Sequence, residues 1–315
     1  MPPLRLPRDP RLLQILFLGS LLGAGVALRD FSLRPMQAFL TFFAGLSTQA
    51  LCARFLTARR GDGSGPVSFP VRHALPSAAI TCLSLSLLLR ADTFWVHPLA
   101  AAIAIGSKFI LRVRGKHLFN PGNLGVIVSL IALPGVWSSP GQWGQDLAFA
   151  CWFVALGAVV TSRARTLGIS WSFLTFYLSL VALRVAWLGQ SWAIWRHQLG
   201  NGGLLLFAFF MISDPMTIPN HPRGRTLHAL LVAALACFWQ YHLHRTNGLL
   251  WSLALLSPAV PIWDRLWTAP KFSWNATNLK GDPHVDPRTP SRPDRALAHS
   301  RLVRLFARSV PRPTL

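Results

Sequence analysis

The sequence predicts an all-α integral membrane protein with about ten transmembrane helices, and three observations lead to this fold class. Hydrophobic residues make up 52% of the 315 residues and charged residues only 13%, whereas a soluble domain carries about 25% charged residues. Apolar segments long enough to cross a bilayer recur along the chain. The Lys and Arg residues between these segments are distributed unequally between alternate loops, as expected for loops on the two faces of a membrane.

The predicted membrane segments follow one another with short loops rich in Pro, Gly, Ser and Arg. In chain order they are Leu12–Leu28, Pro35–Leu56, Leu75–Leu89, Phe94–Val113, Pro121–Val136, Asp146–Thr161, Trp171–Leu188, Leu204–Ile212, Thr226–Tyr241 and Gly248–Trp263. The eighth segment is short, because Gly200, Gly202 and Gly203 precede it and Asp214 and Pro215 end it. It is either a broken helix that faces a binding site or a short helix buried by its neighbours.

The basic residues predict the orientation of these segments. With the N-terminus placed in the cytoplasm, the cytoplasmic segments before the C-terminal tail hold 15 Lys and Arg residues and the opposite loops hold six. This excess predicts a multi-pass protein of the bacterial cytoplasmic (inner) membrane with both termini in the cytoplasm. Ten segments also divide into two halves of five, and because five is odd, a duplicated half would be inverted. The two halves show no sequence repeat, so the inverted arrangement depends on counting alone.

The composition divides the chain into two regions. Residues 1–270 are predicted to form a polytopic transmembrane domain. Residues 271–315 are predicted to form a basic, mostly disordered cytoplasmic tail. Within this tail, residues 295–308 could form a short amphipathic helix on the membrane surface or remain unstructured.

The charged residues and cysteines exclude several classes of site. The net charge of +21 indicates contact with anionic lipid rather than nucleic acid, because the basic residues lie at helix ends and in the tail. All ten acids are Asp, which excludes catalysis by a pair of Glu residues. The four cysteines form no Cys-x-x-Cys pair, so the sequence indicates neither an iron–sulfur centre nor structural zinc.

The first candidate site is the segment from Lys108 to Gly125. Asn120 is a favourable N-cap and the following proline a favourable first helical residue, so a helix with a positive dipole end should begin here. A phosphate, carboxylate or quinone oxygen could bind at this helix start. The candidate cofactor-binding residues are Lys116, His117, Asn120, Gly122 and Asn123. The alternative is a basic loop followed by an ordinary helix.

The second candidate site is the proline-rich segment from Phe210 to Arg225. Asp214 is one of few acids near a membrane segment, and such acids are commonly functional or paired. The candidate residues for binding an ion or for locking the loop are Asp214, Thr217, Arg223 and Arg225. Asp214 could pair with either arginine, coordinate a cation, or act only as a structural cap.

These two segments resemble a known family. The motif F-N-P-G-N-L-G, followed about ninety residues later by F-F-M-I-S-D-P-M-T and P-x-G-R, is similar to the RnfD/NqrB membrane subunits of the Rnf and sodium-pumping NADH:quinone oxidoreductase complexes. Asp9-Pro10-Arg11 and Gln49 are similar to divergent stand-alone members found near natural-product pathways, including enediyne clusters. The resemblance implies ten transmembrane helices in two inverted five-helix halves.

The resemblance also implies a flavin, but with one departure. Redox-active members carry flavin mononucleotide on a threonine within Ser-Gly-Ala-Thr, and this tetrapeptide does not occur here. The only threonines in the region from Val136 to Ser172 are Thr161 and Thr166. A covalent flavin is therefore not predicted, and the cofactor stays open between non-covalent FMN, a quinone and none.

Three functional hypotheses follow. The first is a membrane electron-transfer subunit that holds a flavin or quinone. It would work with other membrane subunits, because this sequence has no nicotinamide-binding fingerprint. The second is a transporter-like or accessory membrane protein that has lost redox function. The third is a structural subunit of a larger membrane complex. The residues leave open whether the chain is itself an enzyme.

Overall fold

The computed structural model describes residues 9–28, 32–59, 71–139 and 147–272, which belong to one compact unit. The predicted tail, apart from its first two residues, lies outside the described part. The helices are α1 (Pro10–Leu28), α2 (Pro35–Arg59), α3 (Val71–Leu88), α4 (Val96–Ile110), α5 (Pro121–Ala132), α6 (Leu147–Arg163), α7 (Leu167–Trp187), α8 (Ala193–Leu199), α9 (Gly202–Leu206), α10 (Pro222–Tyr241), α11 (Gly248–Leu256) and α12 (Val260–Leu266). The strands are β1 (Leu89–Ala91), β2 (Arg112–Val113), β3 (Lys116–His117) and β4 (Val136–Ser138).

Each of the ten predicted segments overlaps helical structure, with differences at the ends. The eighth begins as α9 and continues as a π-helix, Phe207–Met211, and the tenth is α11 and α12 joined by a 3₁₀ turn, Ser257–Ala259. The short helix α8 was not predicted. By length and composition, three described helices can cross a membrane: Pro10–Leu28, Pro35–Phe55 and Leu167–Trp187. The number of membrane crossings and the inverted halves stay predictions.

Helix α5 is too short to cross a bilayer alone and packs against three other helices. Helix α5 has 12 residues, which at 1.5 Å per residue is about 18 Å and less than the bilayer core. It packs against α4, α3 and α11. Among the longer helices, α2 packs against both α3 and α4, and α7 packs against α10. Burial inside the bundle suits helices too short to span alone, because their ends must meet protein rather than lipid.

The π segment packs against α6 and α7. All five of its residues are buried, and it contacts α6 and α7. Gly157 of α6 faces Phe209 so closely that a Cβ added to the glycine would lie 2.5 Å from the Phe209 Cβ. The absence of a side chain at Gly157 therefore permits α6 and the π segment to touch.

Two small antiparallel ribbons mark opposite ends of α5. Strand β1 pairs with β4 after α5 ends, whereas β2 pairs with β3 just before α5 begins. The β2–β3 turn consists of Arg114 at φ 51° and Gly115 at φ 82°, and two successive positive φ values are typical of a type I′ hairpin. We call the end of the bundle that carries β2–β3 the hairpin end.

The contact between Gly157 and Phe209 gives a prediction for stability. Gly157→Ala should lower the stability of the purified protein by about 1–3 kcal/mol, because the new methyl group overlaps Phe209 in a packed core. Gly23→Ala is the matched control, since no atom lies within 4 Å of its added Cβ. A melting temperature in detergent that is equal for the two variants would contradict the proposed packing constraint.

Candidate functional site

Lys116 is the central cation of the hairpin end. It is 9% exposed, and its Nζ donates to Asp264 Oδ2 at 2.8 Å, to Asn220 Oδ1 at 3.2 Å and to the Ile218 carbonyl. A lysine ammonium group has three donors, so these acceptors occupy all of them. Lys116 thereby joins β3, the loop before α10 and α12, and it has no donor left for a ligand.

Asp264 is a residue of this candidate site that the sequence pattern did not single out. Its Oδ2 accepts from Lys116 and its Oδ1 accepts from the Asn220 N–H at 2.7 Å. Both side chains of the Lys116–Asp264 ion pair are 11% exposed. The signal available in the sequence was the scarcity of acids near helix ends, which also drew attention to Asp214.

Asn120, Gly122 and Asn123 build the start of α5 rather than an open site. The Asn120 side chain accepts from the Asn123 N–H at 3.0 Å and donates to the Met211 carbonyl at 3.2 Å. The Asn123 side chain donates to the Leu250 carbonyl at 3.0 Å. A Cβ on Gly122 would lie 3.1 Å from Ser84. The predicted cap is confirmed, but the helix start is buried against α3, α11 and the π segment.

Asp214 and Thr217 form a tight turn within the proline-rich loop. Asp214 Oδ1 accepts from the Met216 N–H at 3.0 Å, and the Thr217 hydroxyl donates to the Asp214 carbonyl at 3.2 Å. This geometry matches the structural-cap alternative for Asp214. The charges of Lys108 and Lys116 also act on its carboxylate.

In the described structure neither Arg225 nor Arg223 forms the ion pair with Asp214 that was one of the alternatives. Arg225 donates to the Pro219 carbonyl and to the Arg165 carbonyl, both at 2.9 Å, and it thereby ties α10 to the loop between α6 and α7. Arg223 is exposed. The two predicted segments nevertheless meet, through Asn120 and Met211 and through Lys116 and Ile218.

A cleft opens beside this cluster, between the hairpin and α12. It has a volume of about 130 Å³ and is partly open to solvent. Of the predicted site residues, Lys116 and His117 line it and Asn120, Gly122 and Asn123 do not. The lining residues are Val113, Arg114, Lys116, His117, Leu118, Asn220, Val260, Pro261, Asp264, Thr268, Ala269 and Lys271.

Burial controls the ionisation of the groups in these loops. It lowers the pKa of His117 to about 4, and the nearby charges of Lys108 and Arg112 act in the same direction, so the imidazole is neutral at neutral pH. Burial also lowers the pKa of Lys116, although the hydrogen bond and charge of Asp264 oppose this effect. Burial raises the pKa of Asp214, against the Met216 N–H and the Lys108 charge.

The threonines in the region searched for a flavin link are both enclosed. The Thr161 hydroxyl donates to the Gly157 carbonyl at 2.7 Å and the residue is 1% exposed. Thr166 is 0% exposed. A flavin phosphate could reach neither hydroxyl without displacing the surrounding helices, so these residues do not fit a covalent attachment.

Comparison with known proteins covers the second of the two motifs. Residues 139–273 match the model of the NQR2, RnfD, RnfE family. The resemblance to the RnfD/NqrB subunits is thereby confirmed, and the chain is a helical membrane protein similar to this family. The match contains Ser213–Thr217, the P-x-G-R sequence and Asp264, whereas Phe119–Gly125 lies outside it.

The relatives carry a common name. The chain is 28% identical over 149 residues to an ion-translocating oxidoreductase complex subunit of Haemophilus influenzae, covering 46% of this chain and 40% of that protein. It is 28% identical over 81 residues to the subunit of the same name from Actinobacillus succinogenes, covering 26% of this chain and 22% of that protein. The chain thus spans less than half the length of these NQR2, RnfD, RnfE-type relatives.

The ion pair between Lys116 and Asp264 gives a prediction for the stability of the protein. Asp264→Asn should destabilise the protein by about 3 kcal/mol, because it leaves the buried ammonium group without a counter-charge. The double variant Lys116→Met/Asp264→Leu should recover most of this loss, since neither charge is then buried alone.

Melting temperatures in detergent measure both effects, with Asp92→Asn, an exposed acid at the opposite end of α5, as the control. If the double variant melts no higher than Asp264→Asn, the ion pair is not the interaction that holds the hairpin end together.

Proposed function

We propose that this chain is a membrane subunit of an ion-translocating, electron-transferring complex, and that its hairpin end holds a flavin or quinone without a covalent threonine link. The observation that carries the proposal is the direct contact between the two family motifs, through the Asn120 side chain and the Met211 carbonyl. The similarity to oxidoreductase complex subunits supports the general class of function.

The proposal includes the arrangement in the membrane. It places ten helices across the bacterial inner membrane in two inverted halves, with the hairpin end and both termini in the cytoplasm. The basic loops Arg112–Lys116 and Arg223–Arg225 lie at this end, which is the distribution that the positive-inside rule expects. Other membrane subunits would supply the electron donor, because this sequence has no nicotinamide-binding fingerprint.

The residues of the cleft are chemically compatible with an aromatic cofactor. Its lining combines apolar side chains, a neutral His117 and the Lys116–Asp264 ion pair. Cofactor sites are commonly apolar clefts with a few polar groups that fix orientation. A bound flavin or quinone would supply electron acceptance and donation. The chain would supply the cleft, its orientation and its shielding from water.

The proposal predicts that the protein carries an extractable redox cofactor. Full-length protein purified from its native membrane in mild detergent should have the visible absorbance of a flavin, or yield a quinone on organic extraction. Denaturation should release the whole cofactor, because no covalent link is proposed. Colourless protein with no extractable flavin or quinone would contradict the cofactor part, and a flavin that stays with the denatured chain would contradict the non-covalent part.

A transporter-like function is the second candidate, because one observation favours it. Asp214 lies three residues after the end of the π segment, and such interruptions of a helix are common at functional sites. In this case Asp214→Asn should abolish solute or ion flux in vesicles that contain the purified chain. Equal flux in the wild type and in Asp214→Asn would argue against it.

A further inference from the structure

Helix α7 ends at the face of the bundle opposite to the hairpin end. Its start lies near the hairpin end, because Arg225 donates to the Pro219 carbonyl and to the Arg165 carbonyl just before α7. The helix has 21 residues, which corresponds to about 31 Å and matches the bilayer core of about 30 Å. Its last residue, Trp187, therefore lies at the bilayer surface opposite to the hairpin end.

The short helix α8 folds back beside the last turns of α7. The Trp195 indole N–H donates to the Leu178 carbonyl at 2.9 Å, and Leu178 precedes Trp187 by nine residues, or about 13 Å of helix. Arg184 donates to the Gln190 side chain at 2.9 Å and holds the turn between the two helices. Helix α8 has seven residues, about 10 Å, so it is too short to cross the bilayer.

The outward surface of this segment is aromatic. Trp187 is 85% exposed and Trp192 is 56% exposed, Leu188 and Leu199 are also exposed, and no residue of α8 is buried. Such a surface is unfavourable in water, because it leaves large apolar side chains unburied. Tryptophan is enriched where lipid meets water, since its ring is apolar and its N–H is polar. The surface therefore favours the boundary of a bilayer over an aqueous loop.

The charge of the segment suits lipid phosphates. Arg196 and His197 of α8 are exposed, and the sequence from Leu147 to Ser213 contains no acid. An arginine at a membrane surface lays its apolar stem along the lipid and keeps its charged head among the headgroups. The segment thus presents aromatic rings and a cation side by side, which is the combination that an interfacial helix uses.

From these observations we propose that the segment from Trp187 to Leu199 anchors the protein in the lipid headgroup layer at the bilayer surface opposite to the hairpin end. Trp187 and Trp192 enter the boundary between headgroups and acyl chains, and Arg196 lies at the level of the phosphates. Interfacial helices bury their apolar face by about 5–10 Å, which agrees with the position of α8 beside the last turns of α7. The anchor fixes the depth at which α7 ends.

A spin label on α8 measures this depth. Ala193→Cys places the label at an exposed position of α8 and keeps both tryptophans. The background is Cys52→Ala/Cys151→Ala/Cys237→Ala, and Cys82 stays because it is 0% exposed. Full-length protein in nanodiscs is exposed to oxygen, which concentrates in lipid, and to a nickel chelate, which stays in water. With spin-labelled lipids as the depth scale, the label should lie within about 10 Å of the headgroup boundary.

The control label is placed on α7 itself. Thr175→Cys, at an exposed position near the middle of α7, should lie near the middle of the bilayer in the same background, which also shows that the labelled protein is folded. If the nickel chelate reaches the label of Ala193→Cys as readily as a label in water, the segment is an aqueous loop. If neither reagent reaches it, another protein covers α8. Either result overturns the proposal.

Two further variants separate the contributions of the rings and of the charge. Trp187→Ser/Trp192→Ser should move the label on α8 towards water, whereas Trp187→Phe/Trp192→Phe keeps apolar rings and should leave the depth close to that of the wild type. Arg196→Asp should move the label further towards water in phosphatidylglycerol than in phosphatidylcholine. An unchanged depth in the serine variant would contradict the anchoring by tryptophan, and an equal shift in both lipids would contradict the phosphate contact. The anchor requires a bilayer but no cofactor, so these results are independent of the test of electron transfer.

Discussion

The contacts of the hairpin end converge on the buried ammonium group of Lys116. Lys116 makes the contacts that join the β2–β3 hairpin, the loop at Ile218–Asn220 and α12, and these contacts reach more than 100 residues along the sequence. A cation taken out of water is stable only when charged and polar acceptors surround it. The chain supplies Asp264, an amide oxygen and a carbonyl for this purpose. Lys116 and Asp264 both line the cleft, so their ion pair connects β3 with α12 across it.

The two family motifs have a physical explanation in this arrangement. The side-chain oxygen of Asn120 accepts from the first turn of α5, and its side-chain nitrogen donates to the π segment. Asn120 therefore uses both polar atoms of its side-chain amide. Gly122 and Gly224 permit close approach, because an added Cβ would lie 3.1 Å from Ser84 and 3.0 Å from Pro219 respectively. The motifs thus form the contact between two parts of the bundle, and the open cleft lies next to them.

Hydropathy and charge predicted much of the fold, because both properties are local. Apolar runs gave the positions of the long helices, and Asn120 with Pro121 gave the start of α5 to the residue. The π segment and α8 were not predicted, since each depends on packing rather than on local composition. The site was predicted only in part. Lys116 and His117 line the cleft, but the partnership of Lys116 with Asp264 spans 148 residues, and no periodicity in a single sequence connects two such positions.

The π segment has a consequence for how this chain tolerates changes of length. A π turn holds more residues than an α turn, so Phe207–Met211 stores extra chain within an otherwise regular helix. Deleting one of these residues would let the segment relax to α geometry, and this relaxation would absorb the lost residue and leave the chain after it close to its present orientation. The same deletion within a regular α-helix would rotate everything after it by about 100° around the helix axis. At this place the chain should therefore tolerate the loss of one residue better than α7 or α10 would.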